Sequence, residues 1–202
     1  MESRHIIGEA FGVRTAPLTP DLAVDFAANT SVLDFRYYTS APENFNEEGW
    51  VKFINARNSP DAHGYPSFGH ALYIGEELAG MSTVFDVQSA NHKVEIGYTM
   101  LFSKWRGTAL NPAAKLILMR GLFEDWGCYR VQLKGDARNA PSMRAMLNMG
   151  FCLEGTLRSF QVLEDDYRRD VTFYSVVQQE WPKVKAHLEE LCRQRGLKLK
   201  SD

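Results

Sequence analysis

Cysteine is scarce. The 202 residues hold three, Cys128, Cys152 and Cys192, far apart, with no C-x-x-C pair and no metal-ligand spacing. That argues against a disulfide framework and against a bound metal, and an odd, scattered set fits a reducing cytoplasm. Cys152, directly after Phe151 in a strand-like run, is expected in the core. The five histidines (His5, His63, His70, His92 and His187) lie on different elements without ligand company. No run approaches the roughly 20 apolar residues of a membrane span, and Met1-Glu2-Ser3-Arg4-His5 has no apolar signal region behind it. The formal net charge is −2, so no global basic field draws nucleic acid or anionic membrane. No internal repeat and no low-complexity stretch is visible.

What is present is an ordinary globular composition, 45% hydrophobic and 24% charged, in a length suited to one domain with a substantial core. The first strand is expected at Phe11–Ala16. Thr19-Pro20-Asp21 then opens a helix with a cap, a first-position proline and a first-turn acid. An aromatic-dense run follows, Leu33-Asp34-Phe35-Arg36-Tyr37-Tyr38. Glu47–Asn58 reads as an amphipathic helix, and His70–Ile74 with Leu78–Phe85 as a hairpin around Gly75-Glu76-Glu77. Further strands are expected at Val94–Leu101, Tyr129–Lys134, where polar residues alternate, Phe151–Arg158 and Val171–Val177. Asn139 starts a short helix with Met143, Met146 and Leu147 inward. Trp181, Val184, Leu188 and Leu191 stripe a last helix, and the basic tail after Gly196 is expected to fray. The order gives a mixed α/β (α+β) fold with helices on both faces of the sheet.

One stretch organises the rest. Val94-Glu95-Ile96-Gly97-Tyr98-Thr99-Met100-Leu101-Phe102 is β-rich, and Ser103-Lys104-Trp105-Arg106-Gly107-Thr108-Ala109-Leu110 turns. Asn111-Pro112 then reads as N-cap and first position of a helix carrying Leu116, Met119, Phe123 and Trp126 to a C-terminal Gly127. A strand, a turn and a helix start present backbone N–H groups and a positive dipole end to an anion. Arg106 adds a full charge, while Lys104 and Lys115 are expected to be solvated. A pyrophosphate is the expected guest.

The residues Glu95-Ile96-Gly97-Tyr98, Trp105 to Asn111 with Ala114-Lys115, Asp136-Ala137-Arg138-Asn139 with Ser142, Gly150-Phe151, Glu154-Gly155 with Leu157-Arg158, and Arg169-Asp170-Val171 with Tyr174-Ser175 stand in a telling order. Over about Val94–Glu180 the chain resembles the GCN5-related N-acetyltransferase (GNAT) superfamily, most closely its ribosomal-protein N-terminal acetyltransferase branch. The resemblance implies a GNAT-type, mostly antiparallel mixed sheet of about six to seven strands in a single domain. Residues 1–90 would form its acceptor side, 91–180 its acyl-CoA-binding half and 180–202 a C-terminal helix and tail.

It also implies a cytoplasmic N-acyltransferase with acetyl-CoA as co-substrate and no metal. The partners would be an acyl-CoA and an amine acceptor, with neither nucleic acid nor membrane. A homodimer is suggested by an exposed edge strand near 171–177. On the implied scheme Met100, Leu101 and Phe102 hold the pantetheine arm. Arg106, Gly107, Thr108, Ala109, Leu110 and Asn111 hold the pyrophosphate, and Asn139 and Arg144 reach other parts of CoA. Glu95 is the candidate base, against a bland role pairing with Lys93 or a neighbouring strand, and Ser142 the candidate acid for the departing thiolate. Phe35, Arg36, Tyr37 and Tyr38 would wall the acceptor groove, and Glu43, Glu47, Glu48, Asp61 and Glu95 would make it acidic. The family often has glycine where this chain has Ala109, tyrosine where it has Met146 and, in this branch, a carboxylate near Gln161. A non-catalytic CoA-binding module is therefore the alternative.

Overall fold

The computed structural model describes residues 4–163 and 166–197. Eight strands form one sheet in the order β1-β2-β3-β4-β5-β6-β8-β7, with every neighbouring pair antiparallel except β5 and β6. The strands are β1 (Gly8–Ala10), β2 (Val13–Pro17), β3 (Phe68–Ile74), β4 (Glu77–Gln88), β5 (Lys93–Leu101), β6 (Arg130–Asp136), β7 (Cys152–Val162) and β8 (Arg168–Val177). The strand count exceeds the six to seven expected because β1 has three residues, too few for a period-2 pattern to register.

Among the described residues five α-helices cover the sheet: α1 (Ala23–Asn29), α2 (Glu47–Arg57), α3 (Leu110–Arg120), α4 (Ala140–Asn148) and α5 (Trp181–Arg195). The side chains of Tyr98 and Thr99 show how they are divided. Tyr98 meets Phe53 and Arg57 of α2, whereas Thr99, one residue on, meets Lys115 of α3. Thus α2 lies on one face and α3 on the other. The α2 side has an aromatic core in which Phe26 stacks on Trp50 at 4.7 Å and Phe35 sits among Phe45, Trp50 and Phe53. Asn46 caps α2 by accepting from the Gly49 N–H at 2.9 Å.

Several expectations are corrected. Residues 171–177 belong to β8, an interior strand, because β7 pairs along its outer side and is itself the sheet edge. Cys152 starts that edge strand and is exposed, and Leu147 is half exposed because α4 turns only its Met146 row inward. The aromatic run 33–38, for which the sequence pattern predicts no element, begins in a turn. Ser31 and Asp34 close a reciprocal cap, and Val32–Phe35 becomes a single 3-10 turn. The expected helix 112–126 begins two residues early and, beyond Arg120, widens into a π-type turn over Gly121–Asp125. Gly127, with φ of 67°, closes it as expected. Of the tail after Gly196, only Leu197 lies within the described residues.

Candidate active site

β5 and β6 run side by side for three residue pairs, Lys93 with Arg130, Val94 with Val131 and Glu95 with Gln132, and beyond these no ladder joins them. The cause is a bulge in β5. Its register with β4 shifts between Met81 and Thr83, and Tyr98 takes a left-handed φ of 46° to absorb the extra residue. Gly97 is needed beside it, since a Cβ there would come within 2.8 Å of the Phe85 ring. The result is a wedge between two parallel strands. The β5 edge facing it has no strand partner.

Glu95 stands at the base of the wedge on the α2 face, 1% exposed. Its Oε2 accepts from Gln132 Nε2 at 2.8 Å and pairs with Lys134 Nζ at 3.1 Å. Burial pushes the carboxyl pKa up, and Lys134 and Gln132 pull only part of the way back, so it stays above the ordinary glutamate value. Of the two pairings expected for it, the one with a neighbouring strand forms, through Gln132 and Lys134 of β6, while Lys93 pairs with Asp86. Gln132 is itself oriented by Arg130 at 3.2 Å, and Arg130 grips Glu154 through two 2.5 Å contacts. The alternation of Arg130, Gln132 and Lys134 in the sequence was the signal for this row.

The mouth of the wedge leads to the turn. Gly107 takes the positive φ, 82°, while Ala109 is right-handed at φ −69°, so alanine fits there without strain. Asn111 does not cap the helix. The Thr108 hydroxyl accepts from Leu110 N–H at 3.2 Å, α3 therefore starts at Leu110, and the Asn111 Oδ1 is buried with no partner. The Ala109 N–H donates to the Gly196 carbonyl at 2.8 Å, which engages one donor of the expected cradle. The Arg106 guanidinium is also engaged. Nη2 pairs with Asp34 and Nε donates to the Leu101 carbonyl at 3.1 Å. Among the strand residues, Phe102 spends its N–H on Ala79 and Met100 pairs with Met81. The groups facing the wedge belong to Thr99 and Leu101.

On the opposite face α4 approaches β6. A Cβ on Gly135 would lie 3.4 Å from Met146 Cε and 3.9 Å from Ser142 Oγ, so Ser142 flanks the wedge on the side away from Glu95. Asn139 caps α4 by accepting from Ser142 N–H at 3.2 Å, as expected, and Arg144 is exposed.

The acceptor wall divides. Phe35 is a core residue at 5% exposure and walls nothing. Tyr38 donates its hydroxyl to the Thr99 carbonyl at 2.6 Å, and Arg36 stacks on the Tyr37 ring. Tyr37 is tied to the sheet by Arg169, which donates to the Tyr37 carbonyl at 3.4 Å, to Gln161 at 3.1 Å and to buried Asp136 at 3.1 Å. Arg138 also pairs with Asp136. The expected acidic groove does not assemble. Glu43 and Glu48 share Lys52 on the surface, Glu47 and Glu48 line a shallow depression with Asn46 and Val51, Asp61 holds its own loop, and Glu95 is inside. Lys104 pairs with Glu77, and Lys115, far from solvated, is 1% exposed. No local pattern in the chain pointed to the burial of Lys115 or to the Asp136–Arg169 pair.

Residues 15–152 match the Acetyltransferase (GNAT) domain family. The chain belongs to the GNAT acetyltransferase family. The crystal structure of a "putative acetyltransferase" from T. thermophilus shares 33% identity at a TM-score of 0.86, covering 94% of this chain and 98% of that one. Mycobacterium smegmatis RimJ in complex with CoA-disulfide shares the fold at a TM-score of 0.75 and 18% identity, over 91% of this chain and 90% of that one. The Bacillus subtilis protein named "Putative ribosomal N-acetyltransferase YdaF" is 29% identical over 110 residues, 54% of this chain and 58% of its own length. GNAT enzymes use acetyl-CoA, and the wedge fits such a group because the Thr99–Leu101 edge of β5 has no strand partner, its two carbonyls being held only by the Tyr38 and Arg106 side chains. No helix among the described residues is long and apolar enough to cross a membrane, and none of their side chains cluster as a metal site.

Proposed function

We propose that the protein is a cytoplasmic N-acyltransferase moving an acetyl or other short acyl group from CoA to a primary amine, either a protein N-terminus or a small amine. The observation that carries this reading is the wedge with a buried, pKa-raised carboxylate at its base. The turn from Arg106 to Asn111 would hold the pyrophosphate through the Gly107 and Asn111 amides and the α3 dipole. The open edge of β5 would take the pantetheine arm as an added strand and polarise the thioester carbonyl. Glu95 would receive the proton of the attacking amine from the α2 face, directly or through a water. Ser142, on the α4 face, would donate to the departing thiolate. Attack is direct, so the chain needs no nucleophile of its own. Tyr37, Tyr38 and Arg36 would line the acceptor side. A homodimer would form through β7, whose Leu153, Leu157, Phe160 and Val162 are all exposed.

Calorimetric titration with acetyl-CoA, followed by thiol release across a panel of amines and N-terminal peptides, tests the reading. Micromolar binding, about −8 kcal/mol, with turnover cut roughly 10²–10⁴-fold in Glu95→Gln is the expected result. Binding without turnover on any amine would leave the CoA-binding module standing in its place.

A further inference from the structure

Lys115 is the feature that the proposed chemistry leaves unused. It lies on α3 one helical turn beyond Asn111, among the buried Ala114, Leu116, Ile117 and Leu118. No carboxylate among the described residues comes within ion-pair distance of it, and burial pulls its pKa down. Its Nζ donates to Thr99 Oγ1 at 2.7 Å and to Ser82 Oγ at 3.4 Å, and those two hydroxyls are 2.8 Å apart. The three groups close a triangle under one particular spot. Ser82 falls in the register gap between the Met81–Met100 and Thr83–Gly97 pairs, facing the bulged Tyr98 and Thr99. Thr99 is held a second time, through its carbonyl, by the Tyr38 hydroxyl.

We propose that Lys115 is a positioning residue that locks the β4–β5 bulge and so holds the open edge of β5 at the spacing an acyl-CoA arm requires. It does this by tying the strand to the same helix whose first turn faces the pyrophosphate. The functional half of this statement rests on the acyl-CoA reading above, and the structural half does not. A bulge leaves residues unpaired across the ladder, and their side chains must be fixed by something else. A lysine is long enough to reach from α3 to both strands, and even as the neutral amine its two N–H donors suit a pair of hydroxyls that no backbone ladder organises. With an apolar side chain in its place the hydroxyls keep only each other, and the Tyr98–Leu101 segment loses its tie to the helix.

The test compares Lys115→Met, Thr99→Val and Thr99→Ser with the natural protein in two measurements. Amide hydrogen exchange is read without ligand, and calorimetry compares acetyl-CoA with adenosine 3′,5′-bisphosphate, which lacks the pantetheine arm. Lys115→Met and Thr99→Val should speed exchange at 80–84 and 97–101 about tenfold while β6 and β8 keep their natural rates. Both should weaken acetyl-CoA about tenfold and leave the bisphosphate unchanged, while Thr99→Ser, which keeps the hydroxyl, behaves as the natural protein. Unchanged exchange at 97–101, acceleration spread evenly over the sheet, or equal weakening of both ligands would overturn the proposal. If Lys115→Met does not fold, the Thr99 pair decides alone. Failure of the natural protein to bind acetyl-CoA would defeat the acyl-CoA reading, and with it the functional half, while the exchange result still decides what Lys115 does to the bulge.

Discussion

Arg106 and Asp34, 72 positions apart, meet with Nη2 at 2.5 Å from Oδ1, so the guanidinium charge in the turn is already matched. Asp34 is also committed to Ser31, whose N–H it accepts at 2.8 Å. Partial burial alone would raise its pKa, but the Arg106 and Ser31 contacts outweigh that and hold it below the ordinary range. If the turn binds a pyrophosphate, this carboxylate competes with it for the guanidinium. Asp34→Asn keeps an acceptor for Ser31 and removes the competing charge, so acetyl-CoA should bind severalfold tighter. Arg106→Ala should bind about tenfold weaker. The double variant should match Arg106→Ala alone, because the Asp34 effect acts through Arg106. Weaker binding in Asp34→Asn would show instead that the pair is needed as a brace.

For Glu95 the expected loss in Glu95→Gln is roughly 10²–10⁴-fold in kcat, the usual span for a positioned base, with acetyl-CoA affinity retained. The pH profile tests the same group with a different variant. Lys134 and Gln132 both lower the Glu95 pKa against the larger effect of burial. Removing the cation in Lys134→Met should therefore move the acid limb of kcat/KM to higher pH. An acid limb that stays in place would mean that Glu95 is not the group being read.

Local features of the site were legible in the sequence. Asn139 caps α4, and Gly127 closes the helical run after α3, each fixed by residues within a few positions of it. What the sequence could not disclose depends on partners far along the chain. Asp34 takes Arg106, Arg169 takes Tyr37 across 132 positions, and Gly196 takes the Ala109 amide. Helix start also turned on such competition. Asn-Pro is a good local N-cap signal, yet the buried Thr108 hydroxyl reached Leu110 first. The interior position of β8 was hidden for a related reason, since strand order follows from pairing across the sheet and not from any strand's own pattern.

Lys115 should leave a thermodynamic mark apart from its role at the bulge. Burial lowers its pKa from 10.5 to about 7. The unfolded chain therefore binds a proton between those values that the folded chain does not, and stability rises with pH across that window. The penalty is complete below pH 7 and relieved as pH approaches 10.5. Lys115→Met lacks it throughout, so its advantage in unfolding free energy over the natural protein should shrink by about 2 kcal/mol between pH 7 and pH 9. Chemical denaturation at the two pH values measures this, and a constant difference would mean that the amine stays charged when folded.

His70 should act in the opposite pH range. Its Nε2 accepts the Ile6 N–H at 3.0 Å, which requires the neutral ring and ties the segment before β1 to β3. Burial, aided by nearby His5, lowers its pKa from 6.5 to about 3. The folded value lies below the unfolded one, so the stabilisation is whole above pH 6.5 and is lost as pH falls toward 3. His70→Gln retains an acceptor for Ile6 and does not titrate. The stability of the natural protein relative to His70→Gln should accordingly fall by about 2 kcal/mol between pH 7 and pH 5. Protection of the Ile6 amide, corrected for its intrinsic exchange rate, should fall as the pH is taken on toward 3, because the bond lost on protonation is the one that holds it. A difference that does not change with pH would mean that the ring finds room for its second proton, and that the N-terminal segment is held by its packing alone.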